Sequence, residues 1–297
     1  MNFNCSCDLK CNNESINNMT EQERLIGKHP LIPHILGHWT SHEDLPTIPN
    51  KKHRKLDEVV HLRQSAIEKI ADWIIEHHII DNKIDLLKRK AQLLEKYDFD
   101  QFVKSSNLLP IADKTQKGNV AEIILVEYLK ESTTFSPMIH KLRYNPNIEQ
   151  SMKGDDVLLL NPNNLQEKVI YGESKYRSNP SKQTIDEIIS NLEGSKKLPV
   201  SIGFVANILY EREEDDLADQ LMDLQALLNN GAITVHNVGF LMSTKSITPS
   251  KDTASQVENH LNTSNPNLVF LSLGLDNPLE IVEESFKLAA DKLLKIY

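Results

Sequence analysis

The stretch YGESKYR at residues 171–177 decides how this chain is read. It closes the apolar run KVIYGES at 168–174 and precedes a loop marked by Pro180. A short apolar run bounded in this way predicts a buried strand. Side chains two apart on a strand share a face. Glu173 and Lys175 are therefore expected to look into one space, with Ser174 turned the other way. A carboxylate can hold a hard cation, and an ammonium beside it can orient a water or neutralise a phosphate.

Working upstream, GDDVLLL at 154–160 predicts a second buried strand, with Asp155 and Asp156 where it begins. A loop around 161–167 is long enough to set the two strands antiparallel, which would bring one of the aspartates beside Glu173. Further back, KGNVAEIILVEYL places Glu122 in a helix over 117–131, and Gly118 is expected to permit a close backbone approach. Three carboxylates and a lysine suffice for phosphodiester hydrolysis with magnesium or manganese. Mg2+ takes few protein ligands and keeps waters and phosphate oxygens. Basic residues gather nearby, and Arg177, Lys182 and Lys117 are candidates to touch nucleic acid. Gln183 opens the next helix and reads as a surface residue.

The same periodicities extend outward. Helices are expected over 54–79, 81–97, 182–193, 214–229 and 278–296, and strands over 200–207, 232–238 and 267–273. Asn277 before Pro278 predicts the start of the last helix. Residues 243–265 are polar and read as a mobile loop. The acidic run 211–216 suits a helix start, where the dipole favours negative charge. Strands alternating with helices predict an α/β fold with a mixed sheet flanked by helices. The expected division is a flexible or irregular segment over 1–50, a mostly helical N-terminal region over 51–107, and the α/β domain over 108–297.

Composition bounds the partners. The 297 residues carry a net charge of −9 and are 39% hydrophobic. Acidity counts against strong unaided binding to nucleic acid, although a local basic groove is compatible with it. Weak activity of the isolated chain and a partner that holds the substrate are the expectation. The three cysteines, Cys5, Cys7 and Cys11, all lie near the start and form no disulfide framework. The start lacks the apolar core of a signal peptide, and no stretch approaches 18 apolar residues, so a cytoplasmic protein without membrane partners is expected.

The order of these elements is a helix glutamate, a strand aspartate and a strand Glu-x-Lys, which resembles the PD-(D/E)xK nuclease superfamily. KGNVAEIILVEYL, KLRYNPN at 141–147, KGDDVLLL and YGESKYR together resemble, more narrowly, the HamA family, the nuclease subunits of Hachiman anti-phage defence systems. The likeness rests on roughly residues 114–195. It implies a PD-(D/E)xK-like core with Glu122, Asp156, Glu173 and Lys175 as catalytic residues. The first three would hold the metal. Asp155 is an extra acidic neighbour of that pattern and a second candidate ligand, although the Gly-x-Asp spacing favours Asp156. The resemblance further implies DNA as substrate and a HamB-like helicase as partner. Two alternatives stand beside it: a catalytically silent nuclease fold that regulates a helicase, and a nuclease of restriction or repair.

Overall fold

The computed structural model describes residues 19–48, 50–93, 108–150, 154–194 and 200–295. The expected N-terminal tail with its cysteines falls largely outside them, as do residues 94–97 of the second expected helix. The described strands are β1 (Thr40–Asp44), β2 (His53–Glu58), β3 (Val157–Leu160), β4 (Val169–Tyr176), β5 (Val235–Thr244) and β6 (Leu268–Leu275). They form one sheet in the order β1-β2-β6-β5-β4-β3. The inner pairs β2–β6, β6–β5 and β5–β4 are parallel, while both outer pairs are antiparallel. The expected α/β fold with a mixed sheet between helices is therefore found.

Parallel strands need helices on both faces, and β4, β5 and β6 are buried almost throughout. One face packs on α3 (Arg63–His78), α5 (Asp113–Ser132) and α10 (Pro278–Leu294) through a core that includes Ile74, Leu125, Ile170, Val269 and Phe286. The other face packs on α6 (Lys182–Gly194), α7 (Val200–Glu211), α8 (Asp215–Asn229) and α9 (Thr253–His260). Alternate residues of β4 serve the two layers, with Ile170 in the first core and Tyr171 in the second. At Gly172 the layers come close. A Cβ there would lie 2.8 Å from Val157 Cβ and 2.9 Å from Leu125 Cδ2, so only glycine lets α5 sit this near β4.

Several elements differ from the sequence expectation. The N-terminal segment is not irregular throughout. It carries α1 (Glu21–Ile26), closed by a capping box on Thr20, as well as α2 (Ile35–Trp39) and β1. The helix expected over 54–79 begins only at Arg63, because its first residues form β2. The buried face of β2 includes Arg54 and Glu58, so no alternation of apolar and polar residues marks it as a strand. β1 and β2 belong to the same sheet as the strands after residue 108. The strand expected over 200–207 is helix α7. Its apolar run is buried against α8 and the sheet, and periodicity alone does not separate a buried strand from a buried helix. Residues 243–265 are an ordered connection, with Asp252 capping α9 through Ser255 N and Val257 in the core. α4 (Asp81–Leu93) begins where the second N-terminal helix was expected. Among the described residues no helix is long and apolar enough to cross a membrane.

Candidate active site

The site lies where β3 begins. The antiparallel register pairs Val157 with Gly172, and the next residues outward are Asp156 and Glu173. Asp156 does not continue the ladder. Its Oδ2 accepts from Ser174 N at 2.8 Å and from Ser174 Oγ at 3.0 Å. The serine that faces away from Glu173 thus fixes the aspartate opposite. Gly154, with φ of 107°, turns the chain into this strand. Asp155 is drawn elsewhere: its Oδ2 accepts from Ser201 Oγ on α7 at 2.8 Å, and its N–H donates to the same hydroxyl at 3.1 Å. Of the two aspartates, Asp155 clamps α7 and Asp156 stands beside Glu173.

Glu173 and Lys175 meet as their spacing required. Lys175 Nζ lies 2.5 Å from Glu173 Oε1, and the same oxygen accepts from Asn191 Nδ2 on α6 at 2.7 Å. Glu187 adds a carboxylate 3.7 Å from Lys175. Burial works against the Lys175 ammonium, but the hydrogen bond to Glu173 and the charges of Glu173, Asp156 and Glu187 outweigh it and raise its pKa. Lys175 is therefore a cation at neutral pH and not a base.

Glu122 comes from the middle of α5, in a cleft lined also by Lys141, Asp155, Asp156 and His140. Burial pushes its carboxyl up to about 8. Lys141 pulls the other way, and the charges of Asp156 and Glu173 add to the rise. The Glu173 carboxyl is raised too, first by burial and then by Asp156. Glu122, Asp156 and Glu173 thus feel one another's charge in a cleft short of positive charge. That is the electrostatic condition for taking up a hard divalent ion, and the donors are the carboxylate oxygens such an ion prefers. Among the described residues no three acidic, histidine or cysteine side chains converge as a ready-made cage. Mg2+ needs no such cage, since it is bound through one or two carboxylates with waters and phosphate oxygens completing its shell. The residues fit the ion.

The three basic candidates each hold an acidic neighbour. Arg177 reaches Glu187 at 3.2 Å, Lys182 pairs with Asp186, and Lys117 pairs with Asp113 at 2.6 Å while lying over the Tyr176 ring. Exposed pairs of this kind are weak and exchange readily for a phosphate. Gln183 is exposed. The polar residues that reach the site from α6 are Glu187, beside Lys175, and Asn191, two turns beyond Gln183. Gly118 also departs from expectation, because nothing lies within 4 Å of where its Cβ would be. It stands one turn before Glu122 and leaves open space there, not a tight approach. Lys141, Asn191 and Ser201 are not singled out by the sequence, and Ser174 is read there only as facing away from Glu173. For Lys141 a signal existed, since it opens the KLRYNPN element.

A family described as HamA matches residues 33–289. The chain is also similar to the Hachiman protein HamA of Bacillus cereus, with 40% identity over 277 residues, covering 93% of this chain and 98% of that relative.

Proposed function

The chain belongs to the HamA family, and from that premise we propose that it is a metal-dependent nuclease hydrolysing DNA in anti-phage defence, working with a helicase subunit. The observation that carries this reading is the cluster at the start of β3. Glu122 and Glu173 are raised partly by neighbouring carboxylates, and a lysine cation stands 2.5 Å from one of them. Glu122, Asp156 and Glu173 would hold magnesium or manganese. The bound ion supplies Lewis acidity, which makes water acidic enough to attack near neutral pH and offsets charge on the phosphate. Asn191 and Lys175 steady Glu173, and Ser174 steadies Asp156. Lys175, charged throughout, orients the attacking water or stabilises negative charge building on the phosphate oxygens. Arg177, Lys182 and Lys117 would exchange their exposed carboxylate partners for the DNA backbone.

A second reading has an observation of its own. Lys175 and Asn191 both occupy Glu173 Oε1, and no cage is preformed among the described residues. That suits a silent nuclease fold regulating a helicase. Plasmid cleavage in Mg2+ by the wild type and Lys175→Ala, each alone and with the co-purifying partner, separates the two. Cleavage by the wild type only supports the nuclease, and a need for the partner locates its control. No cleavage in any setting, with ion and partner demonstrably bound, favours the regulatory subunit.

A further inference from the structure

The cleft beside Glu122 contains a second lysine to which the nuclease reading gives no role. Lys141 opens a short 3-10 turn, Lys141–Tyr144, ahead of β3. Its side chain is only 15% exposed. Nζ donates to the main-chain carbonyl of Asp155 at 2.9 Å and stands 3.7 Å from Glu122 Oε1. The second distance is too long for a good hydrogen bond but close enough for charge attraction whenever Glu122 is ionised. An ammonium carries three donors, so the Asp155 carbonyl leaves capacity for another acceptor.

Charge indicates what that acceptor is. Glu122, Asp155 and Asp156 line this cleft with Lys141, the Glu173–Lys175 pair adjoins it, and Glu187 beyond Lys175 is matched by Arg177. With Glu122, Asp155, Asp156 and Glu173 all ionised, as ion uptake requires, the excess over Lys141 and Lys175 is two negative charges, which one divalent ion cancels. With the ion bound and Lys141 present the cleft is neutral. Without Lys141 it would stay negative and repel a phosphodiester. Ion binding at Glu122 also removes its attraction for Lys141.

We propose that Lys141 is a further phosphate-contacting residue of this site, held beside Glu122 by the Asp155 carbonyl until a divalent ion takes the carboxylates, and then donating to an oxygen of the bound strand. The inference rests on the nuclease reading and assigns Lys141 two linked effects, competition with the ion and attraction of the substrate.

The test uses the full chain, with Mg2+ uptake followed by calorimetry and binding of a fluorescent DNA duplex followed by anisotropy in Ca2+ over a salt series. Lys141→Met is expected to bind Mg2+ about threefold more tightly or better, because a neighbouring positive charge is gone. It should bind duplex about tenfold more weakly, and its log K against log salt slope should shrink by about 0.9, the value of one lost phosphate contact. Lys141→Arg should restore the slope. If Lys141→Met does not fold, Lys141→Gln, which can still donate to the Asp155 carbonyl, carries the same comparison. Wild-type Mg2+ affinity and an unchanged slope in the uncharged variant would overturn the proposal and leave Lys141 as a prop for Asp155. Failure of the nuclease reading looks different: the wild type itself takes up no ion, and Lys175→Ala leaves duplex binding unaltered.

Discussion

Two groups of buried charge stand toward opposite edges of this sheet, and the protein treats them in opposite ways. Near β1 and β2, Arg54 is fully buried and grips Asp44 with two hydrogen bonds of 2.6 and 2.9 Å, with Thr20 donating to the same carboxylate. Arg54 also reaches Gly27 O and the Tyr128 hydroxyl. His29 closes the group: Nε2 faces the Thr40 carbonyl, which can only accept, so that nitrogen donates and Nδ1 accepts from Tyr128. A second carboxylate nearby, Glu58, takes two hydrogen bonds from Arg63 and one from Trp39. Burial alone would raise both carboxyls, yet their arginine partners bring Asp44 and Glu58 below the ordinary range. At the β3–β4 end, burial raises Glu122 and Glu173, and carboxylates there push each other further up. Where charge holds structure it is matched by a partner in the chain. Where carboxylates crowd one another beyond the cations beside them, the proposed function would have a divalent ion match the excess.

The comparison breaks most visibly at Arg54. Arg54→Met leaves Asp44 buried without its partner and should lower stability by about 3–5 kcal/mol in denaturant unfolding, while cleavage per folded molecule stays at the wild-type level. Replacing Asp44 by Leu as well should recover much of the loss. If the single variant unfolds like the wild type, the anchor is not an anchor. Lys175→Ala should do the reverse, cutting cleavage by about 10²–10³-fold with a melting temperature at or near that of the wild type.

The sign of pH dependence sharpens the contrast. The Glu122 carboxyl is raised from 4.5 to about 8, so between these values the native protein holds a proton that the unfolded chain has lost. Stability from this group is therefore greatest below 4.5 and falls as pH rises toward 8. In the metal-free protein Glu122→Gln should match the wild type near pH 4.5 and exceed it by about 2 kcal/mol or more at pH 8.5. The anchor runs the other way. Burial lowers His29 from 6.5 to about 4, helped by His42 and Arg54, so acidification through that window costs stability. A Glu122→Gln advantage that is the same at every pH would contradict a raised carboxyl. The smallest effect is expected at Gly118. Gly118→Ala should stabilise α5 by about 0.5–1 kcal/mol, since a Cβ there meets nothing. A fall in cleavage despite that gain would show that the open space beside Glu122 is used by substrate.

How much of this was legible in the sequence follows from the same division. The β3–β4 end was readable because its chemistry is written at fixed spacings, with Glu173 and Lys175 two apart on a strand and Asp156 one register step beyond Val157. The anchor was not readable. Arg54 and Glu58 look like surface residues in a sequence, and only their partners Asp44 and Arg63, brought in from other elements, make them interior. β2 was lost with them and absorbed into the following helix. The apolar run of α7 reads as a strand because it lacks a polar face to give a helical period. The glycines divide similarly. Gly118 was expected to be tight and is open, while the tight contact falls at Gly172, where it depends on Leu125 and Val157 arriving from elsewhere. Lys141 and Asn191 have no spacing to Glu122 or Glu173 that marks them, since each reaches the site through the fold.

The placement of β2 has one more consequence, and it concerns time. β2 joins the sheet through β6, so that His53 sits opposite Phe270. During synthesis the N-terminal hairpin has no edge to dock against until almost the whole polypeptide has left the ribosome. A contact of such long sequence separation forms late and closes slowly. A chain interrupted before β6 would have made every residue of the Glu122–Lys175 cluster while lacking the strand that links it to the Arg54 anchor. For a protein whose proposed chemistry endangers the cell that makes it, the topology has the carboxylates translated well before the sheet that joins them to the anchor is closed.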